Sequence, residues 1–91
     1  LGGSIPEGRE SPLREVVENW DGVTDVRQFR SVFFGPGRVL VNADVAFDPS
    51  LDTGEIDERI DAIEAELKER DGAVKTVYIE PELESATASP S

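Results

Sequence analysis

Two segments of the chain repeat apolar residues at helical spacing, which predicts two amphipathic helices. The first carries Leu13, Val16, Val17 and Trp20, and the second carries Ile56, Ile60, Ile63 and Leu67. Ser11 before Pro12 predicts the start of the first helix, because serine caps a helix and proline favours its first position. Asp52 and Glu55 predict an aspartate version of the capping box at the start of the second. Each helix has a single apolar stripe, so each must pack on another layer.

Three further segments have the pattern of strands. Residues 23–34 are rich in Val and Phe, and Gly35-Pro36-Gly37 predicts a hairpin turn into a second strand over residues 38–47. That strand alternates, and one of its faces carries Val39, Val41, Ala43, Val45 and Phe47. A third strand is predicted over residues 73–81. The order α-β-β-α-β predicts an α+β fold, in which two helices cover one face of a three-stranded mixed sheet, as in a ferredoxin-like domain without its first strand.

The other face of this sheet has no helix to cover it. The residues predicted there are Leu40, Asn42, Asp44, Tyr78 and Glu80. An open face of mixed character on a small domain predicts a partner, and a second copy of the same chain is the commonest one. Trp20 is assigned to the core, whereas Phe29, Phe33 and Phe34 fit the core and the partner surface equally well.

The 91 residues suffice for one small domain. Residues 1–10 are interpreted as a linker, residues 11–81 as the folded domain and residues 82–91 as a disordered acidic tail. No stretch approaches the roughly 18 consecutive apolar residues that a membrane span requires. We therefore expect a soluble chain.

Composition narrows the possible chemistry. The chain has no Cys and no His, which removes thiolate and imidazole ligands and the commonest catalytic bases, and we expect no enzymatic activity. The formal net charge of −11 argues against nucleic acid and direct lipid binding, since both are anionic. With only two lysines, Lys68 and Lys75, this acidic surface is typical of a halophile, and an acidic mesophilic domain is the alternative.

Three strings in this order resemble the C-terminal domain of cation diffusion facilitators, which are transporters that export divalent cations. They are Gly22-Val23-Thr24-Asp25-Val26-Arg27, Asp44-Val45-Ala46-Phe47-Asp48-Pro49 and Val77-Tyr78-Ile79-Glu80-Pro81. The leader Gly2-Gly3-Ser4-Ile5-Pro6 also resembles the stretch after the last membrane helix of these transporters. The resemblance implies a metallochaperone-like cytoplasmic domain that forms a homodimer below the membrane part of the same transporter.

Metal-binding histidines of that family fall at Thr24, Asp44, Asp57 and Tyr78 in this sequence, and the acidic residue before the final proline is kept as Glu80. The resemblance therefore implies one of two states. Asp44, Asp57 and Glu80 form an oxygen-ligand site for a divalent ion, zinc or manganese, or the site is lost and the domain only dimerises. The alternative function is a free-standing ferredoxin-like module that regulates or binds a small ligand.

Overall fold

The structure is a computed structural model that describes residues 7–83, and its elements follow the predicted order. They are α1 (Glu7–Glu18), β1 (Val23–Gly35), β2 (Arg38–Phe47), α2 (Thr53–Arg70) and β3 (Val74–Leu83). The strands lie in the order β1-β2-β3, with β1 antiparallel and β3 parallel to β2. The predicted α+β fold is confirmed, and the central position of β2 is new information.

One face of the sheet and the apolar stripes of both helices form the core. On β2 the predicted alternation is confirmed, because every second residue from Val39 to Phe47 is buried. From the helices, Leu13 and Val17 of α1 and Ile63 of α2 are almost completely buried. The two helices together cover this one face, and none of the elements in residues 7–83 forms a layer on the opposite face.

Strand β1 does not alternate because its pairing with β2 shifts three times, and one of these shifts lies between Phe33 and Gly35. A bulge inserts an extra residue and moves the following side chains to the other face. Phe29 and Phe33 consequently pack against the core, whereas Phe34 is 44% exposed. The three phenylalanines are thus divided between the two faces.

Helix α1 begins at Glu7, so the predicted start at Ser11 is wrong and Pro12 lies inside the helix. Tertiary contacts hold this extra turn, since Arg9 pairs with Asp71 and Glu10 accepts a hydrogen bond from the buried Ser31 hydroxyl. The assignment of residues 1–10 to a linker stays a prediction, with residues 7–10 helical and residues 1–6 outside the described range. Of the predicted tail, residues 82 and 83 belong to β3, and residues 84–91 lie outside the described range.

The capping box predicted for α2 is confirmed. The Asp52 carboxylate accepts a hydrogen bond from the Glu55 amide at 2.8 Å, and the Glu55 carboxylate accepts one from the Asp52 amide at 2.9 Å. Both bonds satisfy amides that would otherwise lack a partner at the helix start. This fixes where the helix leaves the loop that follows β2.

Two contacts join the ends of α1 to α2. At one end Arg9 donates two hydrogen bonds from its Nη2 to the Asp71 carboxylate, at 2.6 and 2.7 Å. At the other end Arg59 donates to the Asp21 carbonyl at 3.0 Å, beside Gly22 at a φ of 91°. A Cβ on Gly22 would lie 2.6 Å from Nε of Arg59, so glycine is required there by both conformation and space.

We predict that Asp52→Ala lowers the free energy of unfolding by about 1 kcal/mol, because the first turn of α2 loses its cap. Urea unfolding followed by circular dichroism measures the change. Asp61→Ala is the matched control, since Asp61 is an exposed carboxylate in the middle of the same helix. Equal effects of the two substitutions would contradict the assigned role of the cap.

We predict a pH-dependent effect for Asp71→Asn. The Arg9 hydrogen bonds, with help from the Ala73 amide and against the effect of burial, lower the pKa of Asp71 below its ordinary value of 3.8. A lowered pKa stabilises the fold above the unfolded value, and this contribution disappears as the pH falls through the folded value. Because Arg9 is partly exposed, we expect a loss of about 0.5–1 kcal/mol at neutral pH.

The difference between wild type and Asp71→Asn should therefore shrink as the pH falls below the ordinary value of 3.8 and through the lowered pKa of the folded state. Urea unfolding of both proteins across this pH range measures it. A constant difference across that range would show that the substitution acts through something other than the charged pair.

Candidate functional site

The side of the sheet that faces away from the helices is the candidate site, and we call it the open face. The strand register arranges its side chains in rows that run across the sheet from β1 through β2 to β3. The rows are Asp25–Ala46–Glu82, Gln28–Asp44–Glu80, Arg30–Asn42–Tyr78 and Val32–Leu40–Thr76. Acidic residues therefore concentrate at one end of the open face and aliphatic residues at the other.

Aromatic side chains stand out of this face. Tyr78 is 59% exposed and Phe34 is 44% exposed, and they are the exposed large hydrophobic residues among those that the structure describes. The guanidinium carbon of Arg38 lies 5.2 Å from the centre of the Phe34 ring, a cation–π distance that partly covers it. No cation of residues 7–83 lies over the Tyr78 ring in this way.

Of the three predicted metal ligands, the structure brings two together. Asp44 and Glu80 are register partners on the open face, with Asp44 half-buried and Glu80 exposed. Asp57 is exposed in the first half of α2, beside Ile56, which is buried in the core on the opposite side of the sheet. Within residues 7–83 of one subunit, no three carboxylates are grouped to hold a metal ion. The three-residue site stays a prediction.

A cation already occupies the acidic end of the open face. Arg27 donates to Asp25 at 3.1 Å, and one of its terminal nitrogens lies 3.9 Å from the Glu82 carboxylate. Arg27 therefore bridges the two edge strands over β2. These two carboxylates share the charge of Arg27 within the subunit, which distinguishes them from Asp44 and Glu80.

Arg30 was not predicted for the open face. Counting back from the Gly35–Arg38 pair would place Arg30 opposite Ala43 on the core face, but the register shift before Gly35 places it opposite Asn42. The broken alternation of β1 signals an irregular strand but does not locate the bulge. The register therefore had to come from the structure.

A groove with a volume of about 320 Å³ lies between α1 and α2. It is lined by Pro12, Glu15, Val16, Asn19, Trp20, Glu66 and Arg70. Trp20 is half-buried and packs against the core, as predicted, with one side toward the groove. Arg70 and Glu66 pair with each other at 2.7 Å, so these two charges of the groove are matched to each other.

Neither helix in residues 7–83 has the length and apolar character needed to cross a membrane. Among solved structures, the chain is similar to three forms of a MamM CTD. It matches a nickel form with 19% identity and a TM-score of 0.77, over 86% of this chain and 98% of that one. It matches a copper form and a cadmium form with 18% identity and a TM-score of 0.76 each, over 85% of this chain and 95% of those chains. These similarities support the fold.

No curated protein matches this sequence. The family model described as "Cation efflux protein, cytoplasmic domain" matches residues 5–83, which is nearly the whole chain. This match confirms the resemblance drawn from the three strings, and it assigns the chain to the cytoplasmic side of the membrane. The chain belongs to the family of cytoplasmic domains of cation efflux proteins.

Proposed function

We propose that this domain joins two subunits of a cation efflux transporter through the open face, and that a divalent cation strengthens the association. The observation that carries the proposal is a sheet face without cover, on which Asp44 and Glu80 stand in register beside the exposed Tyr78. Apolar and aromatic area of this kind is typical of a surface that a partner buries. The second subunit and the membrane part of the same transporter are the proposed partners.

The cation would be held by Asp44 and Glu80. Carboxylates suit hard ions such as manganese, and they also bind zinc, while a chain without His or Cys offers no softer ligand. Two carboxylates from each subunit, brought together across a two-fold axis, would supply enough oxygen ligands for one ion. Asp57 lies in the helix layer, and the proposal does not need it. The nickel, copper and cadmium forms are of MamM, and they support metal binding by a domain of this fold.

The proposed role is non-enzymatic. The chain lacks histidine and cysteine, and the charged pair in the helix groove is internally matched. Membership of a transporter family also favours this role over a free-standing ligand-binding module. The domain would act on transport by changing how firmly two subunits associate.

We predict that the chain dimerises in a chelating buffer and that manganese or zinc tightens the dimer. Analytical ultracentrifugation with EDTA, and then with MnCl₂ or ZnCl₂, measures the dissociation constant. Calorimetric titration of either metal measures binding directly. Asp44→Asn and Glu80→Gln each remove one ligand charge and should weaken metal binding by about tenfold or more.

Asp61→Asn is the matched control, because it removes one exposed carboxylate from the helix layer. Its metal affinity should equal that of the wild type. Equal heats from wild type, Asp44→Asn and Glu80→Gln would overturn the metal site. A chain that stays monomeric at millimolar concentration, with and without metal, would overturn the dimer.

We also propose that the domain works in a high-salt cytoplasm, since 20 acidic residues face 9 basic ones. Their mutual repulsion opposes the compact state, and salt screens it. We predict that the free energy of unfolding rises as KCl increases from about 0.1 M to molar concentration, with the steepest rise at the low end. Urea unfolding at several KCl concentrations tests this.

The control is a variant with less repulsion, in which Asp61→Asn and Glu69→Gln remove two exposed charges from α2. This variant should show a smaller rise with KCl, because fewer like charges remain to be screened. A rise of the same size in both proteins would point to a general salt effect instead of charge screening.

A further inference from the structure

Arg30 is an exposed arginine on the edge strand β1, in the row of the open face that contains Asn42 and Tyr78. The other arginines of residues 7–83 have partners: Arg9, Arg14, Arg27, Arg59 and Arg70 are in ion pairs, and Arg38 lies over Phe34. Within these residues Arg30 has no ion pair, hydrogen bond or ring contact. Its guanidinium is therefore free to pair with a group outside the subunit.

A two-fold symmetric dimer would place a side chain of the second copy opposite Arg30. If two open faces meet around a two-fold axis that runs along β2, then β1 of one copy lies over β3 of the other. Each row then lies over the same row of the second copy, with its β1 residue opposite the β3 residue of that copy. Arg30 faces Tyr78 of the partner subunit, and Asn42 meets Asn42 of the partner subunit.

In the two neighbouring rows the same arrangement makes an apolar contact and a like-charge contact. At the aliphatic end Leu40 meets Leu40 of the partner subunit, which buries apolar area on both sides. In the acidic row, Gln28 faces Glu80 of the partner subunit. Asp44 meets Asp44 of the partner subunit, and this is a like-charge contact that needs a nearby cation.

Arg27 is already engaged with Asp25 and Glu82, so Arg30, one row from this contact, is the arginine of the open face that is left to meet it. Rows are two residues apart along a strand, or about 7 Å, which an extended arginine side chain spans. From its place opposite Tyr78 of the partner subunit, Arg30 thus reaches the row that contains Glu80 of the partner subunit. The arrangement occurs twice in a symmetric dimer.

We infer that Arg30 is the cationic bridge of the dimer. Its guanidinium stacks on Tyr78 of the partner subunit and pairs with Glu80 of the partner subunit, which offsets the repulsion between the two Asp44 side chains. The inference rests on the proposed dimerisation through the open face and adds a specific contact to it. An arginine then supplies positive charge at the interface even when no metal is bound.

Charge reversal and charge exchange test this contact in the full chain, with EDTA present. Arg30→Glu should raise the dimer dissociation constant about tenfold or more, and so should Glu80→Arg, because each leaves like charges facing across the interface. The double variant Arg30→Glu with Glu80→Arg restores opposite charges at both positions and should recover most of the affinity. Arg14→Glu, on the outer surface of α1, should leave the dissociation constant unchanged.

Cross-linking gives a second measurement that does not depend on affinity, since the chain has no cysteine of its own. Chains with Arg30→Cys are mixed with chains that carry Tyr78→Cys and treated with a short bis-maleimide. The mixed dimer keeps its second Arg30–Tyr78 contact intact. A covalent dimer should form in the mixture, whereas Arg14→Cys mixed with Tyr78→Cys should give none.

The outcomes separate the two proposals. A wild-type chain that never dimerises overturns the proposed function itself. A wild-type dimer whose affinity is unchanged by Arg30→Glu overturns the bridge and leaves dimerisation standing. Failure of the double variant to recover affinity, in a protein that circular dichroism shows to be folded, also overturns the pairing of Arg30 with Glu80 of the partner subunit.

Discussion

The burial of only one face of the sheet is the constraint on which the rest of the structure depends. Two helices with single apolar stripes cover the odd-numbered side chains of β2, from Val39 to Phe47, and no helix or strand in residues 7–83 forms a layer over the even-numbered ones, of which Ala46 alone is buried. The core is thereby complete while half of the sheet surface remains available. Fold stability and partner binding are assigned to opposite faces of the same three strands.

Regular periodicity made much of this fold predictable from sequence. Strand β2 alternates without interruption and α2 carries both its cap and its stripe, so the bounds, faces and start of these elements followed from local chemistry. The start of α1 did not, because it depends on Arg9 and Glu10 reaching residues far along the chain, Asp71 and Ser31. The helix propensity of the residues around Pro12 does not reflect contacts of that kind.

The residues of the candidate site likewise fall into those that the sequence pattern placed on the sheet face and those that it did not. Asp44 and Glu80 were predicted to share a face, since both lie in strands of clear alternation, and the register confirms it. Asp57 was assigned by resemblance alone. A resemblance between sequences gives the position of a residue along the chain, but it does not say whether the side chain lies in the sheet layer or in the helix layer. Arg30 was hidden by the bulge at Phe34, which reverses the faces of β1 at a point that the pattern does not reveal.

The contact between Arg9 and Asp71 has a mechanical consequence. Asp71 ends α2 and its carboxylate also accepts a hydrogen bond from the Ala73 amide, one residue before β3 begins. The first turn of the domain is therefore fastened to the start of the strand that carries Tyr78 and Glu80. The first turn of α1 and the turn that leads into β3 therefore depend on one carboxylate, so that losing it would loosen both at once.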